Sequence, residues 1–178
     1  MEKLLQIHNM TKIFGEGTIN EKTANSDLTL ELSDGDFVTV IGNNGAGKST
    51  LLNAIAGVFP VDRGNIILDG NDITKLPEYK RARYMGRVFQ DPLKGTAFDM
   101  TIEENLAIAA AKNKPRGLQP GITKADRQAF RERLAVLGMG LEDKMTQKVK
   151  LLSGGQRQAL TLFMAVIADP KVLLLDEH

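Results

Sequence analysis

Nine consecutive residues, Gly42-Asn43-Asn44-Gly45-Ala46-Gly47-Lys48-Ser49-Thr50, have the composition and spacing to hold a phosphate. Residues 42 to 49 fit G-x-x-x-x-G-K-S/T at every fixed position. Each residue type has its own reason to be there. Gly42, Gly45 and Gly47 permit backbone conformations that let successive N–H groups converge on phosphate oxygens. A helix opening near Lys48 adds its positive N-terminal end. Lys48 can reach the β- and γ-phosphates as a point charge, and Ser49 can offer a hydroxyl to Mg²⁺. The chemistry is that of a nucleoside triphosphate with its metal, Mg²⁺. Kinases, GTPases and motors share this loop, so it names a ligand and not a reaction.

A second element narrows the reaction. The apolar run Val172-Leu173-Leu174-Leu175 ends in two acids, Asp176 and Glu177. Ligands of open α/β sheets bind at the carboxyl ends of strands. Asp176 is therefore expected at the metal, together with Ser49. Glu177 is expected to polarise the water that attacks the γ-phosphorus. Two acids capping a core strand could equally be solvated surface; the phosphate loop upstream tips the balance toward hydrolysis.

A third element lies between these two. In Leu152-Ser153-Gly154-Gly155-Gln156, Ser153 can cap a helix, and the glycines let backbone approach an anion. Two phosphate-binding surfaces are not needed for one γ-phosphate unless they meet across an interface. The pentapeptide resembles the signature sequence of the ATP-binding cassette (ABC) ATPases. That resemblance spans Leu4 to Glu177. It implies that Leu152 to Gln156 act in trans on nucleotide held by the phosphate loop of another subunit in a head-to-tail pair. It also implies roles for two further residues. Gln90, in Val88-Phe89-Gln90, is similar to the family's glutamine that senses metal and attacking water. It joins Glu177 and Lys48 as a catalytic residue and Ser49 and Asp176 at the metal. Phe14, in Lys12-Ile13-Phe14-Gly15, matches the aromatic that stacks on adenine; stacking needs only a π-face. The sequence departs from the family where His178 follows the paired acids in place of the usual Pro. The family normally continues with further strands and a later histidine, so the resemblance implies a C-terminally truncated cassette of uncertain turnover.

The elements that must position these residues follow from periodicity. Leu5 and Ile7 alternate with polar residues, as do Leu28, Leu30 and Leu32, which predicts half-buried antiparallel strands. Phe37-Val38-Thr39-Val40-Ile41 is almost continuously apolar, which predicts a strand buried on both faces and leading into the phosphate loop. Short strands are expected at Gly64 to Gly70 and Tyr84 to Gln90. Thr101-Ile102-Glu103-Glu104 has the form of a capping box opening a helix. Lys112 to Gly121, with Pro115, Gly117, Pro120 and Gly121, predicts a loop. Thr123 caps a second helix ending near Gly138, and Gln156 to Ala168 predicts a third. His8 reads as a strand residue, and the methionines read as core filler. The expected class is α/β: a P-loop NTPase cassette of the ABC type, with a RecA-like core, an antiparallel β subdomain and an inserted helical subdomain. It lacks the C-terminal strands. One domain spans 1–178, divided into 1–90 (β subdomain and phosphate-loop core), 91–150 (helical) and 151–178 (signature helix and acidic strand).

Composition sets limits on all of this. The 178 residues are 42% hydrophobic and 25% charged, with net charge +1 and no cysteine. Disulfides and thiolate metal sites are excluded. A general polyanion partner such as nucleic acid is not implied. No stretch approaches the roughly 20 apolar residues of a spanning helix. The family resemblance implies an ATPase subunit powering movement of a small solute, such as an amino acid, through a separate membrane permease. Its expected place is cytoplasmic, on the inner face of the membrane, as a homodimer or paired with a second ABC subunit, with a solute-binding protein as a further expected partner. Two alternatives stay open: a soluble ABC ATPase of the iron–sulfur assembly type, and a nucleotide-binding fragment with little turnover.

Overall fold

The computed structural model describes residues 3–89, 91–113 and 120–176. It divides into two compact units, Met1–Ala82 and Arg83–His178, each with its own core.

The first unit is built on the predicted antiparallel pair, β1 (Lys3–Phe14) and β2 (Lys22–Ser33). β3 (Arg63–Leu68) joins the other edge of β1, and β4 (Asn71–Asp72) closes the order β2-β1-β3-β4. Asp69 and Gly70, both at positive φ, make the tight turn between β3 and β4. Leu5 and Ile7 are buried, as their alternation predicts.

The alternation then changes parity. Asn9 takes φ 49°, and the pairing with β3 steps from His8↔Asn65 to Thr11↔Arg63. Two residues of β1 thus face one of β3, which is a β-bulge. Gly64, at φ 80°, makes the bulge possible, because a Cβ there would collide with the His8 carbonyl. A one-residue slip exchanges the two faces of a strand. The buried set therefore continues as Met10 and Lys12 instead of Asn9 and Thr11. Phe14 follows in the same alternation.

Helix α1 (Lys48–Ala56) buries Leu51, Ala54, Ile55 and Ala56 and follows the phosphate loop as predicted. The segment before that loop differs from expectation. Residues 36–43 form no strand; Phe37 is 88% and Ile41 89% exposed. The apolar run has the intrinsic preference of a central strand. Among the described residues, however, no strand pairs with it, and a strand without a ladder on either side has no sheet to bury it. The unit closes with a single helical turn, α2 (Glu78–Arg81).

The second unit begins with β5 (Met85–Val88), which pairs in parallel with β6 (Val172–Leu175) over Met85↔Val172 to Val88↔Leu175. Among the described residues, three α-helices lie between β5 and β6 in the chain. α3 (Ile102–Ala110) and α4 (Lys124–Ala135) both open on complete capping boxes, at Thr101 with Glu104 and at Thr123 with Asp126. α5 (Gly154–Val166) opens at Ser153. Their apolar faces form one core with Leu106, Leu134, Leu141, Leu160 and Phe163 at its centre. Arg127 ties α4 to α3 through a two-pronged bond to the Glu103 carboxylate, at 2.8 and 3.1 Å. α5 lies directly on β5, since a Cβ on Gly86 would collide with the Ala165 carbonyl. The predicted loop between α3 and α4 falls largely on 114–119, outside the described residues.

Candidate nucleotide-binding site

The phosphate loop is shaped by two glycines. Gly45 and Gly47 sit at φ 83° and 88°, where a side chain is strained. Gly42 is different: its φ is ordinary, and its small size matters because a Cβ would lie 3.1 Å from that of Ala46. Gly47 is the N-cap of α1 and supplies no side-chain cap, so the first turn presents its N–H end to the loop. The ammonium of Lys48 curls back over that loop, donating to the Gly42 carbonyl at 2.8 Å and the Asn43 carbonyl at 3.2 Å. This places the cation at the mouth of the loop. Asn44, Ala46, Ser49 and Thr50 complete the run, with the 46–43 turn closed by an Ala46 N–H to Asn43 carbonyl bond of 3.0 Å.

Residues outside the motif hold this loop. Gly47 is pressed against β2: a Cβ would collide with the Ala24 carbonyl, and the Asn25 amide donates to the Gly47 carbonyl at 3.4 Å. The far end of α1 is held by Arg81, which is 2% exposed. Its guanidinium donates to the carbonyls of Ala54 (2.7 Å), Ile55 (2.9 Å), Thr74 (2.8 Å) and Leu76 (2.8 Å). Burial pulls the guanidinium pKa below its ordinary value, and the charge of Asp72 opposes that. A cation at the C-terminal end of a helix complements its dipole and satisfies its last carbonyls. Gly57, the αL C-cap, leaves room for Arg81, whose Nε would lie 2.7 Å from a Cβ there. Neither Asn25 nor Arg81 carries a motif signal in the sequence.

Phe14, the predicted base-stacking residue, stands at the end of β1 and is 40% exposed. Its ring packs edge-on against Phe59, with centroids 5.3 Å apart at 82°. The Lys12 ammonium lies over both rings, 5.3 Å from Phe14 and 5.4 Å from Phe59. Gly15, at φ 63°, then turns the chain into a closed loop fixed by the Thr18 hydroxyl on the Gly15 carbonyl at 2.7 Å.

In the second unit, the signature residues form the open end of α5. The Ser153 hydroxyl accepts from the Gln156 N–H, and the Gln156 side chain accepts from the Ser153 N–H, both at 3.3 Å. Gln156 also donates to the Met139 carbonyl at 3.1 Å, while Leu152 is buried in the helical core. Gly154 and Gly155 are exposed, and neither is at positive φ. A Cβ at Gly154 would meet nothing within 4 Å, and one at Gly155 would touch only the end of Met139 at 3.9 Å. Among the described residues of the unit, nothing requires glycine at either position. The same turn is tied to the stretch after Gln90: the Arg157 guanidinium stacks 4.5 Å over the Phe98 ring, and Lys150 pairs with Asp99 at 2.7 Å.

Asp176 follows β6 and continues its pairing, donating its N–H to the Val88 carbonyl at 3.2 Å. It therefore stands at the carboxyl ends of two parallel strands, where the sequence places it. Gln90 and Glu177 lie outside the described residues. No helix among the described residues is long and apolar enough to cross a membrane.

A protein-family model described as ABC transporter matches residues 25–178. This chain belongs to the ABC transporter ATPase family. Its curated relatives include a tyrosine transport ATP-binding protein of Clostridioides difficile (strain R20291), 44% identical over 175 residues. That match covers 98% of this chain and 69% of the relative. The spermidine/putrescine import ATP-binding protein PotA of Aggregatibacter actinomycetemcomitans is 38% identical, over 98% of this chain and 42% of its own length. Among solved structures, a nucleotide-free ATP-binding cassette from an ABC transporter superposes with TM-score 0.77 at 29% identity. It covers 98% of this chain and 69% of that one. A dimeric ATP-binding cassette in a post-hydrolysis state, bound to ADP and Pi, gives TM-score 0.79 at 27% identity, over 97% of this chain and 73% of that one. The cassette here is thus an ABC ATPase fold spanning about 70% of those solved cassettes.

Proposed function

We propose that this cassette is the ATP-hydrolysing subunit of an importer for a small solute, such as an amino acid. It works on the cytoplasmic face of the membrane through a separate permease. The observation that carries the reading is the pair of glycines at 154 and 155, which no contact among the described residues requires, at the exposed and capped N-terminus of α5. With no side chain at its first two positions, this helix end leaves the Gly154 and Gly155 backbone open to a phosphate arriving from outside the unit. The relatives named for import and for tyrosine transport favour the importer and the amino-acid class.

In this reading Gly42 to Thr50 hold the triphosphate, Lys48 neutralises the β- and γ-phosphates, and Phe14 stacks on adenine. Leu152 to Gln156 close on the nucleotide of a paired subunit in a head-to-tail dimer. The donors proposed for Mg²⁺, the Ser49 hydroxyl, the Asp176 carboxylate and the Gln90 amide oxygen, are all hard oxygen ligands of the kind that ion takes. When bound, the ion would offset phosphate charge. Glu177 takes the proton of the attacking water, and Gln90 orients that water. A solute-binding protein is a further expected partner.

Two measurements test this. Glu177→Gln should keep ATP binding and lower turnover by about a hundredfold or more. Cells lacking the gene should lose uptake of one labelled amino acid and regain it with the native gene, but not with Glu177→Gln. Unchanged turnover in that variant would remove Glu177 from the mechanism; unchanged uptake of every amino acid tested would remove the substrate class.

A further inference from the structure

We propose that Lys12, Asp62 and Phe59 are positioning residues that fix Phe14 as a preformed nucleobase platform. The inference rests on the reading of Phe14 as the base-stacking residue. It concerns how that ring is held.

The strand itself sets the arrangement up. The bulge at Asn9 shifts β1 by one residue, so Lys12 and Phe14 share the alternation of buried Met10. Lys12 is 7% exposed. A buried ammonium needs a charged partner. Asp62 provides it, with Oδ1 3.1 Å from Lys12 Nζ. Its other oxygen, Oδ2, accepts the backbone N–H of Ile13 at 2.6 Å. The N–H of Asp62 donates in turn to the Thr11 carbonyl at 3.0 Å. One aspartate therefore fixes the backbone on both sides of Lys12, immediately before Phe14.

The rings are fixed by the same cation. The Lys12 ammonium lies over Phe14 and Phe59 at nearly equal distances, and the two rings meet edge to face. Each contact is of the attractive kind for an aromatic quadrupole. Phe59 is three residues beyond α1, so the wedge behind Phe14 is connected through the chain to the helix that carries Lys48 and Ser49. The strand position opposite Lys12 points the same way: its partner Asn25 donates to the Gly47 carbonyl. Base platform and phosphate loop thus share one pair of strand residues as a frame. Phe14 is held from behind while keeping 40% of its surface open. A ring already immobilised loses less freedom on stacking. A cation over the ring also draws on its π density, which favours an electron-rich purine stacked on it.

The experiment titrates the 178-residue chain with two probes, MgATP and magnesium tripolyphosphate, which lacks base and sugar. Lys12→Met, Asp62→Asn and Phe59→Leu should each weaken ATP by about tenfold, the scale of one base–aromatic stack, while leaving tripolyphosphate within about twofold. Lys12→Arg, which keeps the cation, should retain most of the ATP affinity. Phe14→Ala should weaken ATP to the same extent, and adding Asp62→Asn to it should cost little more. Three results would overturn the proposal. Equal losses for both probes would make these residues supports of the whole unit. ATP affinity unchanged in all three variants, with Phe14→Ala still weakened, would leave Phe14 as the platform without these supports. Unchanged ATP binding in Phe14→Ala would overturn the stacking role of Phe14 itself, and with it this inference.

Discussion

Arg81 Nη1 lies 2.7 Å from the carbonyl oxygen of Ala54, and the same nitrogen lies 2.9 Å from that of Ile55. The helix that opens at the phosphate loop is therefore closed by a buried guanidinium. Nε and Nη2 reach on to Leu76 and Thr74, so one side chain joins the end of α1 to the segment after β4. Substituting Arg81→Met would leave buried carbonyls without donors, each worth about 1 to 3 kcal/mol. We expect a loss of at least about 3 kcal/mol in urea unfolding, read as a lowered midpoint at unchanged slope. Arg81→Lys should lose nearly as much, because an ammonium on a flexible stem cannot reproduce the planar fork.

Gly47→Ala makes a different prediction. The new methyl would strike the Ala24 carbonyl while holding a residue at φ 88°. The loop can accept it only by moving away from β2, which also carries Asn25. Stability should fall by about 1 to 3 kcal/mol, and MgATP affinity by more than that loss alone implies, since the N–H groups of the loop move with Gly47. Calorimetric titration beside thermal unfolding separates the two effects.

Acid stability should depend on Asp62. Burial pushes its carboxyl up, but the Ile13 N–H, the Lys12 hydrogen bond and the Lys12 charge outweigh that and hold it below the ordinary 3.8. A carboxyl with a depressed folded pKa stabilises the fold above its unfolded pKa. That contribution is lost as pH falls through the folded one. Stability of the first unit should therefore be level in Asp62 near neutrality and decline as pH drops from about 4 downward. Asp62→Asn should be less stable at pH 7 and show a shallower decline below pH 4. Thermal unfolding from pH 7 to pH 2.5 measures both; a parallel decline in the two proteins would mean that Asp62 is not the group being titrated.

How much of this was legible in the sequence depends on range. The caps at Thr101, Thr123 and Ser153 are local devices, written within four residues, and each forms as its pattern predicts. The phosphate loop and α1 are local in the same sense. Phe37 to Ile41 shows the limit. Its composition states what the segment prefers, but a strand also needs a neighbour, and pairing is decided elsewhere in the chain. Arg81 lies in the run Lys80-Arg81-Ala82-Arg83, which carries no apolar pattern to mark a buried position. It is buried because carbonyls 26 and 27 residues upstream need donors, a demand no window around it records. The bulge at Asn9 hid the platform in the same way, since strict alternation from Leu5 and Ile7 places Lys12 on the wrong face.

Gly154→Ala is the test that separates folding from assembly. In the described unit a Cβ at Gly154 meets nothing within 4 Å, and the residue begins α5 at ordinary φ. Alanine loses less conformational freedom than glycine on entering a helix, so the variant should be as stable as the native chain or more so by up to about 1 kcal/mol. Any defect it shows must then arise from something that approaches the helix end from outside. We expect MgATP binding to the phosphate loop to be unchanged. ATP-dependent self-association, read by sedimentation, should fall about tenfold or more, and turnover with it, because the methyl stands where an incoming phosphate would meet the Gly154 and Gly155 backbone. If the variant is less stable than the native chain, glycine is there for the fold. If it is equally stable and associates normally, the open end of α5 is not a phosphate surface, and the trans role of Leu152 to Gln156 fails with it.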